Sequence, residues 1–227
     1  MAYWCESCQV PVLGKICHNC GAKLNMSFPD KGVPVFKEET KLLSKLTGEA
    51  LDFDDFDLWT AHRYYYWQGK RVFKIEGGNI FEKPKLKWLV NRAELKDQSF
   101  SKENLISANL PYLKELEYKA ILFIQQVREK FFDCPIWTVA FSGGKDSAVV
   151  SHLVRKAFGT PNILHIFVDT TMELPPTNEY IETFRRSYNV PLIKLRADKN
   201  YEEMAEKAGP PSRIHRWCCT VFKTSPY

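Results

Sequence analysis

The feature that most constrains the fold is a stretch in which an apolar run passes through two glycines into a helical pattern. The run Ile136–Phe141 favours a strand, and the helical pattern continues to about Phe158. Between them, the N–H groups of the turn converge, and the helix N-terminus carries a partial positive charge. Glycine lets the backbone approach a phosphate without a Cβ in the way. The stretch therefore predicts an anion site built from Ser142, Gly143, Gly144, Lys145, Asp146 and Ser147.

The chain after this loop alternates between strands and helices. Ile163–Val168 is an apolar run of the kind found in parallel sheets that are covered on both faces. A helix is predicted from Pro175 to Arg186, and a further strand from Val190 to Leu195. This order predicts a doubly wound parallel α/β domain. Because ligands of such sheets bind beyond the carboxyl ends of the strands, we expect the loop and Asp169-Thr170 to face one pocket.

Four cysteines near the amino terminus form two Cys-x-x-Cys pairs, Cys5 with Cys8 and Cys17 with Cys20. Two such pairs joined by a short loop predict a zinc ribbon, because four thiolates suit tetrahedral zinc. A rubredoxin-like iron site and two disulfides are the alternatives. His18 lies within the second pair, but the four cysteines already complete the ligand set. A full thiolate shell leaves no open position, so we expect a structural or docking role in a segment that folds only with its metal.

Composition limits the class of protein. A chain of 227 residues, 44% of them hydrophobic, is long enough for one large or two small domains with a real core. The net charge of +5 fits an anionic substrate without requiring nucleic acid. No apolar run reaches membrane-spanning length, and the first residues lack the basic and apolar regions of a signal peptide, so we expect a cytoplasmic protein. In a reducing compartment, paired cysteines indicate metal or redox chemistry more often than disulfides.

The segment before the loop is predicted to hold a linker, a short helix at Lys37–Leu46 and a small β-rich part. Aromatic and β-branched residues at 59–90 predict two strands on either side of Gln68-Gly69, and a third strand that starts at Ile80-Phe81. Basic residues interleave with these aromatics. That pattern is compatible with a nucleic-acid platform, although a solvated basic face is the more common explanation.

A long amphipathic helix is predicted at Leu113–Phe131, where apolar residues recur at spacings of three and four. The preceding polar segment, Asn91–Leu110, is expected to be irregular with some helix. These patterns divide the chain into three predicted parts. They are a zinc ribbon at 1–25, a linker with a small β-rich domain at 26–110, and an α/β domain at 111–227.

The carboxy-terminal stretch combines two adjacent cysteines, Cys218 and Cys219, with three cations, Arg213, Arg216 and Lys223. Adjacent cysteines do not easily bridge each other, but both can serve an iron–sulfur cluster. Cations beside thiolates lower the thiol pKa and can hold a phosphate or a sulfate. The stretch therefore indicates a further part of the anion site. Two buried cysteines in a basic tail are the alternative.

Three motifs together resemble one known superfamily. Ser142–Ser147 resembles the PP-loop of the ATP pyrophosphatase, or adenine nucleotide alpha-hydrolase-like, superfamily, which includes tRNA thiolation enzymes and the PAPS/APS reductases. Val168–Leu174 resembles the Asp-Thr segment of the PAPS reductases. Arg216–Cys219, with Lys223 and Pro226, resembles the Cys-Cys…Lys…Pro segment of the reductases that carry a four-iron cluster. The resemblance implies a PAPS/APS reductase family domain behind an amino-terminal zinc ribbon.

By that resemblance, the loop would bind phosphate or sulfate oxygens of an adenylyl nucleotide (ATP, APS or PAPS), with Asp169 and Thr170 near the nucleotide. Lys145, Cys218 and Cys219 are the candidate catalytic residues, and the two cysteines would supply half of a four-iron four-sulfur site. In the reductases a later cysteine attacks the sulfur and releases sulfite. No second cysteine pair follows before Tyr227, so we expect a downstream segment or a protein partner to complete the site.

The implied activity is reduction of adenylyl sulfate to sulfite. The alternative is an ATP pyrophosphatase, with Mg²⁺ accompanying ATP, that adenylates a nucleic acid or another acceptor for sulfur transfer. A third possibility is a scaffold that binds a nucleotide without turnover and docks through the ribbon.

Overall fold

The computed structural model describes residues 1–79, 81–92, 95 and 100–226, which fall into two compact units, Met1–Glu115 and Leu116–Tyr227. Helix α1 of the first unit is Lys37–Thr47, and α2, Lys102–Lys130, begins in the first unit and ends in the second. The strands of the first unit are β1 (Ala2–Cys5), β2 (Val10–Val12), β3 (Ser27–Phe28), β4 (Val33–Pro34), β5 (Leu58–Ala61), β6 (Tyr64–Trp67), β7 (Lys70–Glu76) and β8 (Lys85–Trp88).

The second unit has the predicted α/β order, and the fold class is confirmed. Its elements after α2 are β9 (Thr138–Ala140), α3 (Lys145–Phe158), β10 (Leu164–Asp169), α4 (Pro175–Tyr188), β11 (Leu192–Arg196), α5 (Tyr201–Ala208) and a helical turn, Trp217–Cys219, that continues as a π-helical turn, Thr220–Thr224. None of the helices among the described residues is both long and apolar enough to cross a membrane.

The second unit is built on a parallel sheet in which β10 lies between β9 and β11. One face of this sheet carries a core of apolar side chains, to which Phe141, just after β9, and Phe167 of β10 contribute, together with Ile181 and Phe184 of α4. Each such burial stabilises the fold by roughly 1.5–3 kcal/mol. On the opposite face Leu164, Ile166 and Val168 are half-buried, so the expected cover on both faces is incomplete among the described residues.

Two helices of this unit end in left-handed caps that their sequences supply. Gly159 follows α3 with φ of 67°, and its N–H bonds to carbonyls of the last turn. Asn189 does the same after α4 with φ of 47°, and α4 begins with proline at its first position. Proline at a helix start and glycine or asparagine just past the end set both boundaries.

The described residues of the first unit form two antiparallel sheets. The smaller has the order β2-β1-β3, and its core includes Cys5, Cys8 and Cys17 beside Val10 and Val12. The larger has the order β4-β5-β6-β7-β8. Its core clusters on the face of Leu58 and Tyr65, where α1 contributes Leu43. The three-part domain division stays a prediction.

Two predictions about elements of the first unit need correction. The third strand after the hairpin is Lys85–Trp88; Phe81 lies outside any strand, and Ile80 falls outside the described residues. The long helix, predicted from Leu113, begins at Lys102, within the segment that was expected to be irregular with some helix. The helix also contains Pro111 nine residues after its first residue, although proline in a helix interior removes a backbone hydrogen bond.

Candidate functional site

The turn between β9 and α3 has the shape that the sequence predicts for an anion site. Gly143 has φ of 75°, which only glycine adopts without strain. A Cβ on Gly143 would also lie 3.3 Å from Cγ1 of Ile181 in α4. Gly144 is the N-cap of α3, and no side chain caps this first turn. The leading N–H groups of the helix are therefore available to an anion.

Two serine hydroxyls and one lysine border this turn. The Ser147 hydroxyl donates to the Gly144 carbonyl at 2.9 Å, and its oxygen lies 3.3 Å from both the amide nitrogen and the hydroxyl of Ser142. The side chain of Lys145 is 87% exposed, and its ammonium lies 2.9 Å from Oδ1 of Asp146. An exposed ion pair of this kind is weak, so the lysine can turn towards a bound anion.

Asp169 lies at the same edge of the sheet as the loop. Ala140 of β9 pairs in parallel with Ile166 of β10, so the loop after β9 and Asp169 both follow the carboxyl ends of adjacent strands. Oδ1 of Asp169 accepts the N–H of Thr171 at 2.8 Å, in a turn where Thr171 has φ of 66°. The hydroxyl of Thr170 donates to Glu173 at 2.9 Å. The strand thus ends in a carboxylate at the sheet edge where the candidate anion site lies.

The carboxy-terminal cysteines lie on a short helical turn that aromatic rings hold in place. Trp217 is buried, its indole N–H donates to the Gly209 carbonyl at 3.0 Å, and its ring packs near Tyr201 and Phe222. Tyr201 in turn donates its backbone N–H to the Thr171 hydroxyl at 2.9 Å. This contact connects the cysteine segment to the turn that contains Asp169, a link that sequence reasoning missed.

The two cysteines differ in their electrostatic surroundings. A guanidinium nitrogen of Arg216 lies 3.5 Å from Sγ of Cys219. This hydrogen bond, with smaller effects from Cys218 and Lys223, lowers the pKa of the Cys219 thiol below its ordinary value. Arg213 and Arg216 are exposed, and no hydrogen bond or ion pair of the described residues joins either of them to the loop.

The largest omission of the sequence reading is a buried polar pair between α3 and β10. The side chains of Ser151 and His165 are fully buried, and the Ser151 hydroxyl lies 2.7 Å from Nε2 of His165. The other ring nitrogen, Nδ1, lies 2.7 Å from the Ile163 carbonyl, which can only accept. His165 is therefore protonated at Nδ1 and accepts the serine proton at Nε2. The signal in the sequence was a single histidine inside an apolar strand.

We expect this pair to make stability depend on pH. Burial lowers the pKa of His165 below its ordinary value of 6.5. Below pH 6.5 the unfolded chain binds a proton that the folded chain excludes, so the free energy of unfolding should fall as the pH drops from 6.5 to 5. Urea titrations between pH 6.5 and 5 measure how steeply the free energy of unfolding changes with pH. His165→Gln should reduce the dependence of this free energy on pH, whereas His215→Gln, at an exposed site, should not. The same dependence in the parent protein and in both variants would contradict a role for His165.

The four amino-terminal cysteines form a cluster that can bind a metal. Their sulfur atoms all lie within 4.8 Å of one another, with 3.5 Å between Cys5 and Cys20 and 3.7 Å between Cys8 and Cys17. Tetrahedral zinc–thiolate bonds of about 2.3 Å require sulfur–sulfur distances near 3.8 Å, so this set fits. Among the described residues it is the only group of three or more metal-ligating side chains.

The thiols of this cluster are not equally acidic. Burial raises the pKa of Cys5 to about 12 and also raises that of Cys8. The backbone N–H of Ala22 lowers the pKa of the exposed Cys20 to about 7. A metal binds the thiolate form, so metal binding must displace these protons and its affinity depends on pH.

Known proteins are similar in sequence to the part of this chain that contains the loop and the parallel sheet. Residues 136–227 match the family model described as the phosphoadenosine phosphosulfate reductase domain. An uncharacterized protein of Methanocaldococcus jannaschii is 38% identical over 122 residues, which are 54% of this chain and 25% of that protein. A sulfate adenylyltransferase subunit 2 of Alkalilimnicola ehrlichii is 35% identical over 117 residues, which are 51% of this chain and 37% of that protein.

A solved structure, the phosphoadenylyl-sulfate reductase of Candida auris in a phosphate complex, is similar over 58% of this chain and 62% of that chain, with 18% identity and a TM-score of 0.32. The chain spans about a quarter to a little over a third of the length of the curated relatives that it matches. The segment that matches this family model, residues 136–227, is the one that holds the Ser142–Ser147 loop, Asp169 and the Cys218-Cys219 pair.

Proposed function

We propose that the second unit binds an adenylyl nucleotide at Ser142–Ser147 and reduces an adenylyl sulfate to sulfite. The observation that carries the proposal is the uncapped first turn of α3 behind Gly143 and Gly144, which offers N–H donors to phosphate or sulfate oxygens. The match of this unit to the phosphoadenosine phosphosulfate reductase domain supports the nucleotide class. Asp169 and Thr170, at the same sheet edge, are proposed to lie near the nucleotide. We place this chemistry in the cytoplasm, where thiols stay reduced.

We propose Cys219 as the nucleophilic thiol of this unit. Its thiolate would attack the sulfur, form an S–S bond to the sulfonate and break the O–S bond, whose electron pair leaves with the nucleotide phosphate. A second thiol, from an external dithiol donor or a partner, would then displace sulfite and form a disulfide. The lowered pKa of Cys219 beside Arg216 raises the thiolate fraction that this attack needs.

A four-iron cluster does not fit the cysteines of this unit. Such clusters need four thiolates, and the sequence after Glu115 contains Cys134, Cys218 and Cys219 alone. Cys134 precedes β9, at the amino end of the strand and away from the loop. We therefore derive no step through a cluster, and expect one only if a partner or a further segment supplies the other ligands.

For the amino-terminal cluster we propose zinc. Four thiolates at tetrahedral spacing favour zinc over harder cations. With Cys5, Cys8, Cys17 and Cys20 all coordinated, the ion has no open position, so its role is to hold the ribbon together.

A second candidate function is transfer of the adenylyl group of ATP to an acceptor, with release of pyrophosphate. Similarity to proteins named sulfate adenylyltransferase subunit 2 favours it. The same loop would hold the ATP phosphates, and Mg²⁺ would enter with them. The acceptor would be sulfate or a nucleic acid, because the site itself specifies only the nucleotide.

One assay separates the two candidates. Anaerobically purified protein is incubated with APS, PAPS or ATP, with a dithiol donor, and with or without sulfate and RNA. Sulfite from APS or PAPS supports reduction, and pyrophosphate from ATP that depends on an acceptor supports adenylyl transfer. Intact nucleotides in every mixture would contradict both candidates.

Lys145→Ala is expected to weaken nucleotide binding about tenfold to a hundredfold, because it removes a charge-assisted contact to the phosphates. Calorimetric titration with ATP, APS and PAPS measures the change. Lys156→Ala is the matched control, since it removes an exposed cation from the last turn of the same helix. An affinity that stays unchanged in Lys145→Ala would remove this lysine from the site.

A further inference from the structure

The positive charge of this protein is concentrated in one part of the first unit. Residues 61–90 contain seven lysines and arginines and two glutamates, a net charge of +5. The whole chain also has a net charge of +5, so the remaining residues balance to zero. Charge concentrated on one small sheet creates a local positive potential, which attracts polyanions.

The register of the sheet shows which side chains share this potential. Tyr64 of β6 pairs with Lys74 of β7, and Lys74 pairs with Lys87 of β8. Residues directly opposite each other in an antiparallel sheet point to the same face. Arg71 lies on this face too, because its guanidinium carbon is 4.5 Å from the centre of the Tyr64 ring. We call Tyr64, Arg71, Lys74 and Lys87 the cationic sheet face.

Arg71 is held in place but not neutralised. Its Nε donates to the Tyr66 hydroxyl at 3.1 Å, while its guanidinium stacks near the Tyr64 ring. No carboxylate of the described residues lies within ion-pair distance of it, whereas Lys74 and Lys87 share Glu76 at 2.7 Å and 3.8 Å. An oriented guanidinium without a counter-ion beside a tyrosine ring can bind a phosphate next to a stacked base.

A cleft beside Arg71 has the size for such a base. Its volume is about 640 Å³, within the range of small-molecule sites. The walls include Tyr64, Tyr66 and His62, and the aromatic side chain of Phe28 also lines it. Tyr64 is half-buried, so part of its ring stays open to solvent. The cleft thus combines aromatic surface with a neighbouring cation.

We propose that the cationic sheet face binds single-stranded nucleic acid, with a base against Tyr64 in the cleft and successive phosphates on Arg71, Lys74 and Lys87. A single strand suits the face better than a duplex, because only unstacked bases can reach an aromatic ring. The site lies in the first unit and does not depend on the proposed activity at the nucleotide loop.

Fluorescence anisotropy of the full chain with a labelled 20-nucleotide single strand, RNA or DNA, tests this proposal. Arg71→Gln and Tyr64→Ala should each weaken binding about tenfold. Tyr64→Phe keeps the ring and Lys207→Gln removes an exposed cation from α5, so both should change affinity less than twofold. The slope of log K against log salt should fall by about 0.7 in Arg71→Gln, since one phosphate contact is lost.

Several outcomes would overturn the proposal. The first is that the single strand does not bind at 50 mM salt. The second is that a duplex of the same sequence binds with equal affinity, and the third is that vesicles containing phosphatidylserine bind more tightly than the single strand. Unchanged affinity in Arg71→Gln would also overturn the proposal. This variant is the one expected to disturb the fold least, because the Arg71 side chain is exposed. Thermal melts of each variant show whether a loss of binding reflects a loss of structure.

Discussion

Cys17→Ser is expected to empty the amino-terminal metal site and to unfold the ribbon. Cys17 is fully buried in a core that consists largely of the cysteines themselves with Val10, Val12 and Leu24. So small a core contributes little without its metal, and structural zinc contributes about 10–16 kcal/mol of apparent binding free energy in ribbon-sized peptides. Removing one of four thiolates should therefore cost most of the stability of this segment.

Elemental analysis of anaerobically purified protein measures the first part of this effect. The parent protein should contain about one zinc per chain, as a four-thiolate site requires, with little iron, and Cys17→Ser should contain none. Near-ultraviolet circular dichroism should show loss of the Trp4 environment, because Trp4 lies in β1 next to Cys5. Cys134→Ser is the control, since Cys134 is exposed and far from the cluster in sequence. Full zinc in Cys17→Ser, or iron in its place, would show that the ligands are misassigned.

Gly143→Val is expected to reduce nucleotide affinity by up to about a hundredfold. The position has φ of 75°, a conformation that a β-branched residue avoids, and its new side chain would meet Ile181 at about 3.3 Å. Strain of this kind costs about 1–3 kcal/mol, and the loop would relieve it by leaving the phosphate-binding shape. Calorimetry with ATP, APS and PAPS measures the affinity.

Gly159→Val is the control that distinguishes the effect of backbone strain in α3 from a direct effect on the nucleotide loop. Gly159 has φ of 67° at the opposite end of α3, and a Cβ there would meet no atom within 4 Å. It should lower the melting temperature through similar backbone strain and leave nucleotide affinity intact. If both variants lose affinity equally, the loss reflects the stability of α3 and not the loop.

Local patterns predicted the parts of the fold that local interactions determine. The strand, the glycine turn and α3 were found within about two residues of their bounds, since the apolar run, the two glycines and the helical period all lie in one short stretch. The two hairpin strands around Gln68-Gly69 were found for the same reason. The four cysteines were grouped correctly because their spacing alone brings them together.

The rest depended on contacts between distant residues. β8 was missed because Lys85-Leu86-Lys87-Trp88 gains its strand conformation from pairing with β7. Helix α2 begins at Lys102, before the predicted start at Leu113, because the polar segment that precedes Leu113 was expected to be irregular with some helix. The stacking of Arg71 on Tyr64 requires the register of two strands, and the bond between Ser151 and His165 requires α3 to pack on β10. Apart from the single histidine inside an apolar strand, none of these pairings has a signal in the neighbouring sequence.

The edge strands of the five-stranded sheet affect the tendency of the protein to self-associate. In the part of the chain that the structure describes, the edge strands are β4, only two residues long and ending in Pro34, and β8, which carries Lys85 and Lys87. Short, proline-bearing and lysine-bearing edges discourage another chain from adding its own strand. At β8 this protection is repulsion between like charges, which a polyanion bound to Lys87 would cancel. Colloidal stability should then be lowest where protein and polyanion charges balance, and should return when either is in excess.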